Sequence, residues 1–159
     1  SGVAAEALER LPGRMRTQFD ASGFQPFEAE RSLSRHYFAF NLQSWVHLAL
    51  YAQAHGLSLW HSDREGEAGL ERPLRYFLDT RGRGWAGPQI EPFDERRYDP
   101  LLVAYHAYCS RAETSALSSL VEPLCHPHCG IRPFWLLIKP MLEHLRSAGT
   151  GIRLPGKLV

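Results

Sequence analysis

Between Gln25 and Leu42 the chain reads QPFEAERSLSRHYFAFNL, about five helical turns holding two glutamates, two arginines, a histidine, a tyrosine and an asparagine. A phenol can take up and return a proton, while guanidinium, imidazole and amide groups offset or bind negative charge. Free tyrosine titrates near pKa ~10, so Tyr37 working as a base at neutral pH needs cations beside it. Arg31, Arg35 and His36 are the local candidates. Glu28 reads as an anchor for Arg31 or Arg35, because a carboxylate fixes a guanidinium by paired hydrogen bonds. Phe24, Phe27, Phe38 and Phe40 are interleaved with these groups and place them near a core. The competing reading of Tyr37 is a core tyrosine with a satisfied hydroxyl.

Such groups need an element to aim them, and the pattern supplies a helix. At about 100° per residue, Ser34, Tyr37, Asn41 and Ser44 share one sector, while His36 points about 100° away with Gln43 and His47. Both sides can border one groove near the helix start. Ser32 is a suitable N-cap for this helix and Gly56 a suitable residue just past its end. Phe38, Leu42, Trp45, Ala49 and Ala52 form one apolar stripe, with Leu33, Phe40 and Tyr51 well away from it, which predicts a central helix buried between neighbours.

The remaining chain is helix after helix. Val3 to Phe19 reads as a helix interrupted near Pro12 and Gly13, followed by a turn over Asp20–Gly23. Glu67–Leu78, Tyr98–Ser110, Glu113–Leu124 and Phe134–Ala148 continue the pattern, with Arg81–Pro92 a Gly/Pro-rich loop and the last residues extended. Strand-like alternation is almost absent. The expectation is one all-α domain over residues 1–159, a helical hairpin array such as a bundle, solenoid or toroid.

With these residues in hand, the chain resembles the alginate-lyase-like family of polysaccharide lyases. Gln25, Pro26, Glu28, Arg31, His36, Tyr37, Phe40, Asn41 and Leu42 match its Q-P-x-E-x-x-R-(x)4-H-Y-x-x-F-N-L stretch. Leu59-Trp60 matches a pair in the next turn, and Trp85, Pro88, Gln89 and Ile90 match a W-x-x-P-Q-I-like loop. The resemblance is strongest over residues 10–95. It implies the C-terminal part of an (α/α) toroid or incomplete barrel, and an N-terminal half of the same protein that supplies an Asn-His pair.

It also implies cleavage of a uronate-containing polymer, alginate or a relative, by β-elimination. Tyr37 would then be base and acid, with His36 and Arg31 offsetting charge on the sugar carboxylate or acting on the tyrosine. Asn41, Arg35, Trp85 and Gln89 are the candidate substrate-binding residues, since a tryptophan face stacks on sugar rings and amides bond their hydroxyls. Trp85 as a plug of its loop onto a helix is an equal alternative. No cofactor is implied, and the class predicts a periplasmic or secreted protein. A helical module that binds acidic glycan without cleaving it is the second reading.

A net charge of +1 carries no basic excess, which argues against nucleic-acid and membrane-surface partners. Lys139 and Lys157 are the two lysines among 18 basic residues, and arginine suits planar carboxylates better. Cys109, Cys125 and Cys129 make no disulfide framework. The run Cys125-His126-Pro127-His128-Cys129 has zinc-ligating residue types, but four ligands crowded into five residues can hardly face one ion, so no metal is expected. Trp60, Tyr105, His106 and Tyr108 read as packing residues.

Overall fold

The computed structural model describes residues 2–61, 69–81, 83–109, 140, 141, 143, 144, 147 and 148. Among the described residues up to 108 there are six α-helices: α1 (Gly2–Glu9), α2 (Leu11–Gln18), α3 (Pro26–Ala29), α4 (Ser34–Ala54), α5 (Glu71–Asp79) and α6 (Tyr98–Tyr108). A 3₁₀ turn, Glu95–Arg97, leads into α6. Among the described residues there is no strand beyond one isolated bridge, Leu33 to Gln89. The protein is all-α. The expected helix over residues 113–124 and the Cys125–Cys129 run lie outside the described residues.

Helix α4 is central, packing against α3, α5 and α6. Its stripe of Phe38, Leu42, Trp45, Ala49 and Ala52 is buried, together with Leu74 and Phe77 from α5 and Tyr98 and Leu101 from α6. Phe38 stacks on Phe77, and Phe77 stacks on Tyr98, with ring centroids 5.5 and 4.5 Å apart. Such stacked rings bury a large apolar area in fixed geometry. Trp60 is buried and stacks on Tyr108. The helix is not buried on every side, however: Phe40 is 58% and Tyr51 50% exposed. α3, α5 and α6 leave that sector of α4 open.

The helix ends correct several expectations. The first break falls at Arg10, and Pro12 opens α2 at a position where its missing N–H costs no intrahelical bond. Ser32 does not cap α4. Leu33 stands at the cap with no side-chain bond, and the Trp85–Ile90 loop performs that task. The Pro88 carbonyl accepts from Ser34 N at 2.9 Å and Gln89 Oε1 accepts from Arg35 N at 3.2 Å, satisfying two of the first-turn donors. A bond 54 residues distant in sequence is invisible to local cap rules.

At the other end Gly56 has φ +83°, and Leu57 N and Gly56 N bond back to the Ala52 and Gln53 carbonyls. This is the paired closure that glycine permits just beyond a helix. α5 is described from Glu71, with Pro73 in its first turn and residues 62–68 outside the description. The Asp20–Gly23 turn forms as expected: Asp20 Oδ1 accepts from Ser22 N and Phe24 N at 2.8 and 3.0 Å, and Gly23 takes φ +90°.

Candidate active site

Three of the candidate residues meet at the start of α4. The guanidinium carbon of Arg31 lies 3.7 Å from the centre of the Tyr37 ring. The His36 ring stands edge-on to Tyr37 at 6.2 Å and to Phe93 at 6.4 Å. Tyr37 and His36 are both half-buried, whereas Arg31 is exposed. Glu28 lies 3.9 Å from Arg31, a loose ion pair one turn apart, so the anchoring expected of Glu28 goes to Arg31. The Tyr37 hydroxyl has no hydrogen-bond partner among the described residues.

Burial is the main cause that holds the His36 imidazole below its ordinary value, and the nearby charge of Arg97 acts in the same direction. Asp94 and Glu91 oppose it more weakly. The neutral ring is therefore favoured near neutral pH, so His36 offers a hydrogen bond rather than a fixed positive charge.

The other candidates are engaged within the protein. Arg35 Nε donates to the Tyr98 hydroxyl at 2.9 Å, its Nη2 bonds the same oxygen, and Nη1 pairs with Glu95 at 3.1 Å. Asn41 Nδ2 donates to Gln25 Oε1 at 2.6 Å and to Gln18 Oε1 at 3.1 Å. Gln25 itself is buried and donates to the Phe38 carbonyl at 3.2 Å, while Trp45 Nε1 donates to Gln18 at 2.7 Å. This amide network ties α2, the Gln25 strand of loop and α4 together. It fixes the backbone that carries Arg31 and Tyr37.

Trp85 Nε1 donates to Ser34 Oγ at 2.6 Å, and Ser34 Oγ donates to the Pro88 carbonyl at 2.6 Å. The Trp85 ring meets Phe38 edge-on at 5.3 Å, so it plugs its loop onto α4. Its remaining face borders a cleft of ≈ 310 Å³ with Phe24, Tyr76 and Thr80, which none of Arg31, His36 and Tyr37 lines. Gln89 accepts from Arg35 N and donates to the Glu91 carbonyl at 2.7 Å. Gly87 lets this loop close: a Cβ there would sit 2.5 Å from Ser34 Oγ.

Sequence reasoning missed Phe93, Tyr98 and Arg97. Phe93 and Tyr98 receive Arg35, whose guanidinium carbon lies 4.6 and 5.0 Å from their ring centres. Their signal is the run Phe93–Asp99, FDERRYD, where two aromatics bracket four charged residues just beyond the Gln89 loop. Among the described residues no group of three or more His, Cys, Asp or Glu side chains is arranged to hold a metal.

The scaffold is all-helical, with a phenol, an imidazole and an arginine grouped at the start of one helix. The family model described as alginate lyase matches residues 1–83, just over half of the 159-residue chain. The chain belongs to the alginate lyase family, an enzyme family of polysaccharide lyases. The match takes in Arg31, Arg35, His36, Tyr37 and Asn41, while Trp85, Gln89 and Arg97 follow it. No curated protein and no solved structure matches the chain.

Proposed function

We propose that the protein cleaves a uronate polymer, alginate or a close relative, with Tyr37 as the proton-transfer group. The observation that carries this is the Arg31–Tyr37–His36 arrangement at the start of α4, inside the stretch matched by the family model. The C5 proton of a uronate is too weakly acidic to remove unless charge developing on the attached carboxylate is stabilised, which makes that stabilisation the largest requirement.

In the proposed step Tyr37, reacting as its phenolate, takes the C5 proton and becomes the neutral phenol. The electron pair left at C5 forms the C4–C5 double bond, and the C4–O bond breaks. The departing glycosidic oxygen takes a proton from Tyr37, so protons and electrons balance with no cofactor. His36 donates a hydrogen bond to the carboxylate, and Arg31 holds the Tyr37 ring and contributes positive charge. Arg35, Asn41, Trp85 and Gln89 support this edge through their bonds to Tyr98, Gln25, Ser34 and Arg35. An (α/α) toroid is the architecture that fits this helical array and family. The family also favours a periplasmic or secreted location, where such polymers are met.

The test is ultraviolet absorbance from the conjugated double bond, with mannuronate, guluronate and glucuronate polymers offered to the full gene product. Turnover on one polymer that Tyr37→Phe abolishes supports the reading. Binding without product on all three overturns it in favour of a glycan-binding module.

A further inference from the structure

The arginines around α4 differ in what they already hold. Arg35 is bonded to Tyr98 and Glu95. Arg96 grips Asp94 through two bonds of 2.8 Å. Arg31 covers Tyr37 and lies near Glu28. Arg97 differs from these three: its side chain makes no hydrogen bond and no ion pair with a described residue, although its Nε is buried. Leaving a buried donor on a charged group unpaired is costly, and Arg97 as a whole is half-buried rather than enclosed.

Its position is defined from two sides. Gln43 Nε2 donates to the Arg97 carbonyl at 3.4 Å, and Gln43 lies two helical turns from His36 on the same side of α4. The Arg97 backbone therefore lies on the side of α4 that carries His36, where His36 meets the Phe93 ring. Four carboxylates lie in the same stretch of chain, Glu91, Asp94, Glu95 and Asp99. Arg96 holds Asp94, Arg35 holds Glu95, and Asp99 feels Arg81 and Arg96. Asp94 also feels the Arg97 charge, but among the described residues no carboxylate forms an ion pair with Arg97.

We infer that Arg97 binds the carboxylate of the uronate undergoing elimination, beside the hydrogen bond from His36. This deepens, and rests on, the lyase reading. A planar guanidinium matches a carboxylate in a way that lysine does not. Arg97 would supply the permanent positive charge that a neutral His36 does not.

Arg97→Gln and Arg97→Lys, made in the full gene product, test this on the cleaved polymer and on the same polymer with its carboxyls methyl-esterified. Arg97→Gln is expected to lower kcat/KM on the ionised polymer by about 10²-fold. The loss should shrink to within a few-fold on the ester, where no anion is left to bind, and added guanidinium ion should restore part of the rate. Arg97→Lys should fall between. A loss that is equal on both polymers, or no loss at all, overturns the assignment. An unchanged melting temperature excludes misfolding as the cause; if Arg97→Gln melts early, Arg97→Lys carries the comparison. Should the wild-type protein form no unsaturated product, the lyase reading fails by itself. Calorimetric binding of a saturated oligouronate then decides Arg97: weaker binding by Arg97→Gln upholds its carboxylate contact, and equal binding removes it.

Discussion

The guanidinium carbon of Arg31 lies over the Tyr37 ring, 3.7 Å from its centre, although Arg31 precedes α4 and Tyr37 is within it. The short α3 turn and the bend at Arg31 fold the arginine back over the helix start. Removing the cation while keeping an aliphatic stem should therefore harm chemistry more than stability. Arg31→Met is expected to lower kcat by about 10-fold or more, the scale of a lost electrostatic contact, with the melting temperature nearly unchanged. A variant with normal kcat would show that the stack is incidental.

Arg35 is the contrasting arginine. Its side chain is only 11% exposed, and it joins α4 to the buried hydroxyl of Tyr98 and to Glu95. Replacing it with methionine leaves Tyr98 with Thr80 as its remaining hydroxyl partner at 2.9 Å. The expected loss is about 1–3 kcal/mol of stability, read from denaturant unfolding. KM on the correctly folded fraction should stay close to wild type. A large KM change with no loss of stability would place Arg35 on the substrate instead.

The Asn41–Gln25–Gln18 network predicts a second purely structural loss. Asn41→Leu removes the donor; Gln18 Oε1 keeps its bond from Trp45 Nε1, but Gln25 Oε1 is left facing an apolar group. Gln25 is 1% exposed, so water cannot replace the bond. A destabilisation of about 1–3 kcal/mol follows. Asn41→Ala, which leaves room for a water, should cost less than Asn41→Leu; the reverse order in unfolding experiments would contradict this account.

Acid should weaken the fold before the carboxylates titrate. Burial holds His36 and His106 below the ordinary 6.5. As pH falls through 6.5 the unfolded chain protonates these rings while the folded chain keeps them neutral. The unfolded state then binds more protons, and stability declines until the lower folded values are passed. Asp94, lowered from 3.8 chiefly by its bonds to Arg96, extends the loss below that value. Asp99, raised by burial, works the other way. Thermal melts from pH 7.5 to 5 should show a falling midpoint, and His106→Asn should flatten that slope. An identical slope in the variant would exclude His106 as a source.

Much of this was legible from local chemistry. The periodicity of Phe38, Leu42, Trp45, Ala49 and Ala52 identified the buried side of α4, because one helical period decides which residues face a core. Gly56 and the Asp20–Gly23 turn were readable for a similar reason: a positive φ and an Asx-type turn depend on a few neighbouring residues. The Gln25–Leu42 stretch also carried the family resemblance, and the family model covers it.

Tertiary structure alone decided which polar groups remain available. Residue types made Arg31, Arg35, His36, Asn41, Trp85 and Gln89 comparable candidates, but each side chain's availability depends on partners distant in sequence. Arg35 meets Tyr98 and Trp85 meets Ser34 across 63 and 51 residues, and no local rule foresees such bonds. The same long-range packing put Gln89 on the start of α4 in place of a Ser32 cap. It also buried the Nε of Arg97 without a partner on the side of α4 that carries His36. Sequence determined the chemical types and their helical spacing. Packing determined which of them are held by the protein.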